Sequence, residues 1–178
     1  MSIPAGTYRF GPENSTLQIN TSRTGAAAKA GHDLLIHVTS WQGSLAVGDD
    51  PADTRIELDA DGTSLHVREG TGGMQALDDD DRASIRKTID EDVLKRQDIR
   101  FRSTSVEPNG DGLHVQGDLT LVGQTRPIAF DVAVAGDGGL SAVAVVKQTD
   151  FGMKPYSALF GALKVADEVK VTLAGKLA

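Results

Sequence analysis

The chain has 178 residues, a formal net charge of −7 and no cysteine. The missing thiols exclude disulfides, thiolate catalysis and cysteine-ligated zinc or iron–sulfur centres. The acidic balance argues against non-specific nucleic-acid binding, which rests on lysine and arginine neutralising phosphates. The length suits one domain over 1–178, large enough to bury a core unaided.

The opening MSIPAGTYRF lacks the basic end and apolar run of a signal peptide. No stretch approaches the roughly 18 apolar residues of a membrane span. The expectation is a soluble, cytoplasmic protein without a transmembrane segment.

Most of the chain alternates apolar and polar residues with period two, the mark of half-buried antiparallel strands. Residues 14–23 and 32–47 supply two early strands, the second long enough to bend at Gly43. The stretch AGHDLLIH places His32 and His37 five apart. In one regular strand an odd separation sends them to opposite faces, which favours a loop entering a strand over a shared metal. A histidine at the mouth of a pocket, His32, is the sharper alternative. RIELDA directs Ile56 and Leu58 one way, and SLHVRE does the same with Leu65 and Val67. The DADG between them predicts a hairpin.

Residues 78–96 break the pattern. Ile85, Ile89 and Val93 recur every four residues with Leu94 beside them, an apolar stripe at helical spacing. Asp78 to Asp81 suit the positive end of a helix dipole, and Lys95 and Arg96 the other. Calcium-loop spacing is missing. The prediction is a solvated helix resting on the strands by one face.

Alternation then resumes. DIRFRSTSV turns Ile99 and Phe101 inward, and GLHVQGDLTL does so with Leu113, Val115, Leu119 and Leu121. RPIAFDVAV follows with Ile128, Phe130, Val132 and Val134, and SAVAVV is a strand of small residues. PNGDG and AGDGG are the intervening turns. Segment 150–166 carries Phe151, Met153, Tyr156, Leu159, Phe160 and Leu163, more apolar groups than an exposed loop should hold. It is expected to cover an opening as a lid or fill one as a plug. EVKVTLAGKL closes the chain with Val169, Val171, Leu173 and Leu177 on one face.

The count is eight or nine strands and one helix, without βαβ alternation. Such strands close into a barrel or stack as a sandwich, and periodicity leaves both open. The sequence has no GxSxG, GxxxxGK[ST] or GxGxxG, so nucleophile elbows and phosphate cradles find no support. What remains is an apolar interior. An eight-stranded barrel is wide enough to hold one small apolar ligand.

Several stretches together resemble the YceI-like, lipocalin-like barrels that bind polyisoprenoids. YRFGPENSTLQI is similar to that family's opening, DIRFRSTSV to its I-x-F-x-S-T strand, and QTDFGM to its DFG element at Asp150, Phe151 and Gly152. VQGDLTLVGQTRPIAFDV matches the G-x-L-T-L-x-G-x-T-x-P signature through Gly117, Leu119, Thr120, Leu121, Gly123, Thr125 and Pro127. VADEVKVTLAGKL resembles the closing strand. Four positions depart: Asn14 replaces a usual histidine, Gly11 an aspartate, Gln97 a proline and Gln148 an arginine.

The resemblance implies an all-β fold with one helix: a closed antiparallel eight-stranded lipocalin-like β-barrel, the helix outside and an elongated apolar tunnel within. It implies a non-enzymatic protein that carries or sequesters a long apolar ligand, such as a polyisoprenoid, a quinone-like molecule or another lipid. No cofactor is expected beyond such a lipid. The residues expected inside are Ile19, Trp41, Ile56, Leu58, Leu65, Phe101, Leu119, Phe130, Val132, Val171 and Leu173, with Phe151 near the mouth. The rivals are an enzyme working on an apolar substrate through His32 and Asp33, and a ligand-free interaction module. An unpaired strand edge would let two copies pair as a homodimer.

Overall fold

The computed structural model describes residues 3–177. The strands, in chain order, are β1 (Gly6–Phe10), β2 (Thr16–Thr21), β3 (Arg23–Thr24), β4 (Asp33–Val38), β5 (Trp41–Val47), β6 (Arg55–Ala60) and β7 (Leu65–Thr71). After helix α1 (Asp79–Thr88) come β8 (Ile99–Asn109), β9 (Gly112–Leu121), β10 (Gln124–Val134), β11 (Gly139–Lys147), β12 (Ser157–Ala158), β13 (Leu163–Val165) and β14 (Glu168–Lys176).

Eleven strands form one antiparallel sheet in the order β1-β5-β6-β8-β9-β10-β11-β14-β2-β4-β7, and β12-β13-β3 form a small second sheet. The main sheet is strongly curled into a half-barrel. The expected barrel is thus met as one strongly curled antiparallel sheet, whose strand order runs from β1 to β7.

The two edges are tied at one corner by the chain itself. β4 runs into β5 through Thr39 and Ser40, and β6 runs into β7 through residues 61–64. These crossings bond to each other. The Thr39 N–H and hydroxyl both donate to the Ser64 carbonyl, each at 2.9 Å. The Asp61 N–H donates to the Ser40 carbonyl at 3.0 Å. The expected bend at Gly43 lies instead at this corner, between β4 and β5.

The hairpin expected at DADG is overturned. A tight turn does form, with the Thr63 N–H donating to Asp61 Oδ1 at 2.8 Å. Its flanking strands then part. Leu58 pairs with Phe101 on β8, and Val67 with Ile36 on β4.

α1 begins in a capping box. Asp78 accepts the Asp81 N–H at 2.8 Å, and Asp81 accepts the Asp78 N–H at 3.1 Å, which satisfies two donors that a helix start leaves free. The acidic run thus has a structural use. The helix passes into one π turn over Ile89–Val93, closed by the Leu94 N–H on the Ile89 carbonyl at 2.8 Å. Lys95 and Arg96 then take left-handed backbone, φ 53° and 57°. The helix rests on β7. Its stripe does more than rest there: Ile85, Ile89, Val93 and Leu94 all pack on the interior.

On β9, a side chain on Gly117, the partner of Ser103, would collide with the Phe101 ring and the Arg102 carbonyl. The glycine leaves room for Phe101 to lie against Phe130, centroids 5.4 Å apart.

On the β4–β7 edge, His37 and His66 are direct cross-strand partners. Burial lowers the pKa of both from 6.5. Arg68 adds to this at His37 against Glu69, and Arg86 and Arg68 add to it at His66 against Asp90. The unfolded chain therefore takes up these protons first. Their contribution is complete above pH 6.5 and falls as pH drops below it. A His37→Gln, His66→Gln double variant should show a flatter loss of stability between about pH 7 and about pH 5. Urea unfolding across that window measures it, and an unchanged slope would refute the assignment.

Candidate functional site

A cavity of about 550 Å³ occupies the inside of the half-barrel, within the ordinary range for small-molecule sites. Its wall is built by period-two alternation: each strand lends every second side chain. β2 contributes Ile19, β6 Ile56 and Leu58, and β7 Leu65. β8 and β9 add Phe101 and Leu119, and β10 adds Phe130 and Val132. Val171 and Leu173 come from β14.

Trp41, expected inside, and Phe151, expected near the mouth, are not among the lining residues. Trp41, 7% exposed, sits in the core where β5 leaves the corner. Phe151, 2% exposed, ends a short turn at Gln148–Phe151 that lies against β10. Both side chains belong to the buried core, and Trp41 shares its strand face with Gly43 and Leu45, which line the cavity.

The wall also holds residues that the alternation argument passed over. Ile85, Thr88, Ile89, Val93 and Leu94 bring the helical stripe onto the cavity. Ala142, Ala144 and Val146 of β11 complete the opposite side. Their signal was present in the sequence. The stripe had the right spacing, and SAVAVV alternates, but small residues on both faces hid which face was inward.

The lining includes Arg23, Ala30, His32, Tyr156 and Lys164, of which Ala30, Tyr156 and Lys164 are exposed, so the cavity meets solvent at this rim. This mouth is stitched by backbone and side-chain bonds. Arg23 donates from Nη1 to the Gly31 carbonyl at 2.9 Å and the Thr71 carbonyl at 2.8 Å. The β3 strand pairs with β13, and the Ala27 N–H donates to the Ala162 carbonyl at 2.8 Å. Within segment 150–166, Met153, Leu163 and Tyr156 all line the cavity, Met153 buried and Tyr156 49% exposed.

The polar groups at the mouth are largely committed. His32 Nε2 lies 2.6 Å from the Gln75 carbonyl, and Asp33 accepts the Arg23 N–H at 2.8 Å. His32 and Asp33 therefore serve separate loops, while His37 pairs with His66 on the other side of β4. Gln148 is buried on the wall and donates from Nε2 to the Ala166 carbonyl at 3.2 Å. Asn14 holds the β1–β2 turn, with Oδ1 accepting the Gly11 N–H at 3.0 Å. Such a site recognises its occupant by burial of apolar surface, with a few polar groups at one end.

Among the described residues no helix is long and apolar enough to cross a membrane. Comparison with known proteins follows the same lines as the geometry. A segment of 70 residues is 37% identical to a UPF0312 protein of Serratia proteamaculans, covering 34% of this chain and 36% of that one. Over 71 residues the chain is 38% identical to Protein YceI of Escherichia coli, covering 35% and 37%. These matches thus span little more than a third of the relatives' length. In fold, the chain is similar to Burkholderia cenocepacia BcnA, with a TM-score of 0.63, 16% identity and coverage of 90% and 94%. A Campylobacter jejuni YceI protein gives a TM-score of 0.54 at 16% identity, covering 78% and 81%. The family description "YceI-like domain" matches residues 8–177, and the chain belongs to the YceI-like family.

Proposed function

We infer that this protein binds a long apolar molecule in its interior and carries or sequesters it without chemical change. The observation that supports this most is the cavity itself, about 550 Å³ and walled by aliphatic and aromatic side chains from strands and helix alike. Each methylene removed from water there contributes roughly 0.8 kcal/mol, so a long chain needs few polar contacts. Polyisoprenoid binding, for which the family is known, supports the same reading. An isoprenoid or similar lipid would lie along Ile19, Ile56, Leu58, Phe101, Phe130 and Val171, its polar end toward Arg23 and Lys164.

The test is mass spectrometry of the purified protein under native conditions, then organic extraction. A long-chain lipid released at near-stoichiometric amount is the expected result. Repeated absence, together with failure to take up added polyisoprenoid, would overturn the carrier reading in favour of an interaction module.

A further inference from the structure

The mouth is surrounded by three loop segments: residues 22–32, 71–77 and 151–166. They are joined by the Arg23 bonds to Gly31 and Thr71 and by the pairing of β3 with β13. In a chain of net charge −7, these segments carry Arg23, Lys29, Lys154 and Lys164 and no aspartate or glutamate. Lys29, Lys154 and Lys164 are exposed. Of the acidic groups nearest in sequence, Asp150 is exposed one residue before the last segment, and the others are engaged beside the collar. Asp33 accepts the Arg23 N–H, Asp167 accepts the Thr149 N–H and hydroxyl, and Asp78 and Asp81 cap α1.

The same collar holds three of the large apolar side chains that the protein exposes: Met74 at 85%, Tyr156 at 49% and Phe160 at 112%. Phe160 has left-handed backbone, φ 55° and ψ 34°. An aromatic residue in that region is strained. Here the strain accompanies a ring held wholly in solvent, an arrangement that folding alone does not reward.

We propose that this collar docks on an anionic lipid bilayer, with Phe160 and Met74 entering the interface and Lys29, Lys154 and Lys164 facing the headgroups. The occupant is set by charge and chemistry together: isolated apolar side chains ringed by cations fit a membrane surface, and the rest of this acidic chain would be turned away from it. The surface surrounds the opening of the cavity, so a lipid could pass between bilayer and interior with little exposure to water. In that respect the inference rests on the carrier reading.

The experiment is co-sedimentation of the full chain with vesicles of phosphatidylglycerol and phosphatidylcholine, against vesicles of phosphatidylcholine alone. Binding is expected to the anionic vesicles and to fall with added salt. Phe160→Ser should weaken it roughly tenfold, and Lys29→Glu with Lys154→Glu by roughly tenfold or more. None of these residues lines the cavity, so uptake of a fluorescent apolar probe in solution should be unchanged. That second readout separates the two ideas: lost docking with intact uptake supports the collar, and intact docking with no uptake removes the carrier reading alone. Equal binding to both vesicle types, no binding to either, or binding that ignores all three substitutions would overturn the proposal. So would a dimer in sedimentation velocity that Phe160→Ser abolishes, since a second copy would then be the occupant.

Discussion

An Ala144→Phe variant should keep its fold and bind an apolar probe about tenfold or more weakly. Ala144 lies on β11 between Val143 and Val145, which are 50% and 57% exposed. Alternation therefore turns Ala144 inward, where it lines the cavity opposite Val171. In a filled core an added ring would force neighbours off their rotamers at about 1–3 kcal/mol. Here it has open space to enter, and its own burial offsets much of any strain. The cost falls on the ligand instead. Displacing about two or three methylenes, at roughly 0.8 kcal/mol each, weakens binding by about ten- to fiftyfold. Val145→Phe, on the outer face of the same strand, is the control and should bind as the parent does. Probe titration with a thermal melt on both variants decides the matter. A folded Ala144→Phe protein with undiminished uptake would place the ligand elsewhere.

The contrast between these neighbours also shows how much was legible beforehand. Strand alternation identified the inward face wherever large apolar and charged residues alternate, as in β9 and β10, whose bounds lie close to the stretches read from GLHVQGDLTL and RPIAFDVAV. It was blind along β11, where small alanines face inward and valines stand on both faces. The DADG turn was legible as a turn and not as a crossing, because turn chemistry is local whereas strand partners depend on Phe101 and Ile36, 43 and 31 residues from Leu58 and Val67. The helical stripe was visible, but nothing in its spacing says whether it meets a finished sheet or completes an unfinished one. Trp41, expected inside, and Phe151, expected near the mouth, are buried core residues outside the cavity lining. The mouth was the least legible part, since Arg23, Tyr156 and Lys164 are brought together by the pairing of a two-residue strand with a three-residue one.

Trp41→Ala should be the most destabilising single truncation at the corner, by about 3–5 kcal/mol. Trp41 is 7% exposed and opens β5 directly after the crossing from β4, opposite Ala60 at the end of β6. It thus stands where both crossings meet, and its removal leaves a void that the bonded Thr39–Ser64 corner cannot close. Domains of this kind have total stabilities of about 5–15 kcal/mol, so the melting temperature should fall by roughly 6–20 °C. Trp41→Phe should cost much less. Trp41 Nε1 is buried without a hydrogen-bond partner among the described residues, and phenylalanine removes that desolvated donor while retaining a ring. Since Trp41 is absent from the cavity wall, probe uptake at a temperature where each variant is folded should match the parent. Urea unfolding of the pair measures the energies. A Trp41→Ala cost below about 1 kcal/mol would mean that the corner is held by its hydrogen bonds and not by packing. Loss of uptake in the folded Trp41→Phe protein would mean that the cavity extends into the corner, and that the wall is larger than the half-barrel alone defines.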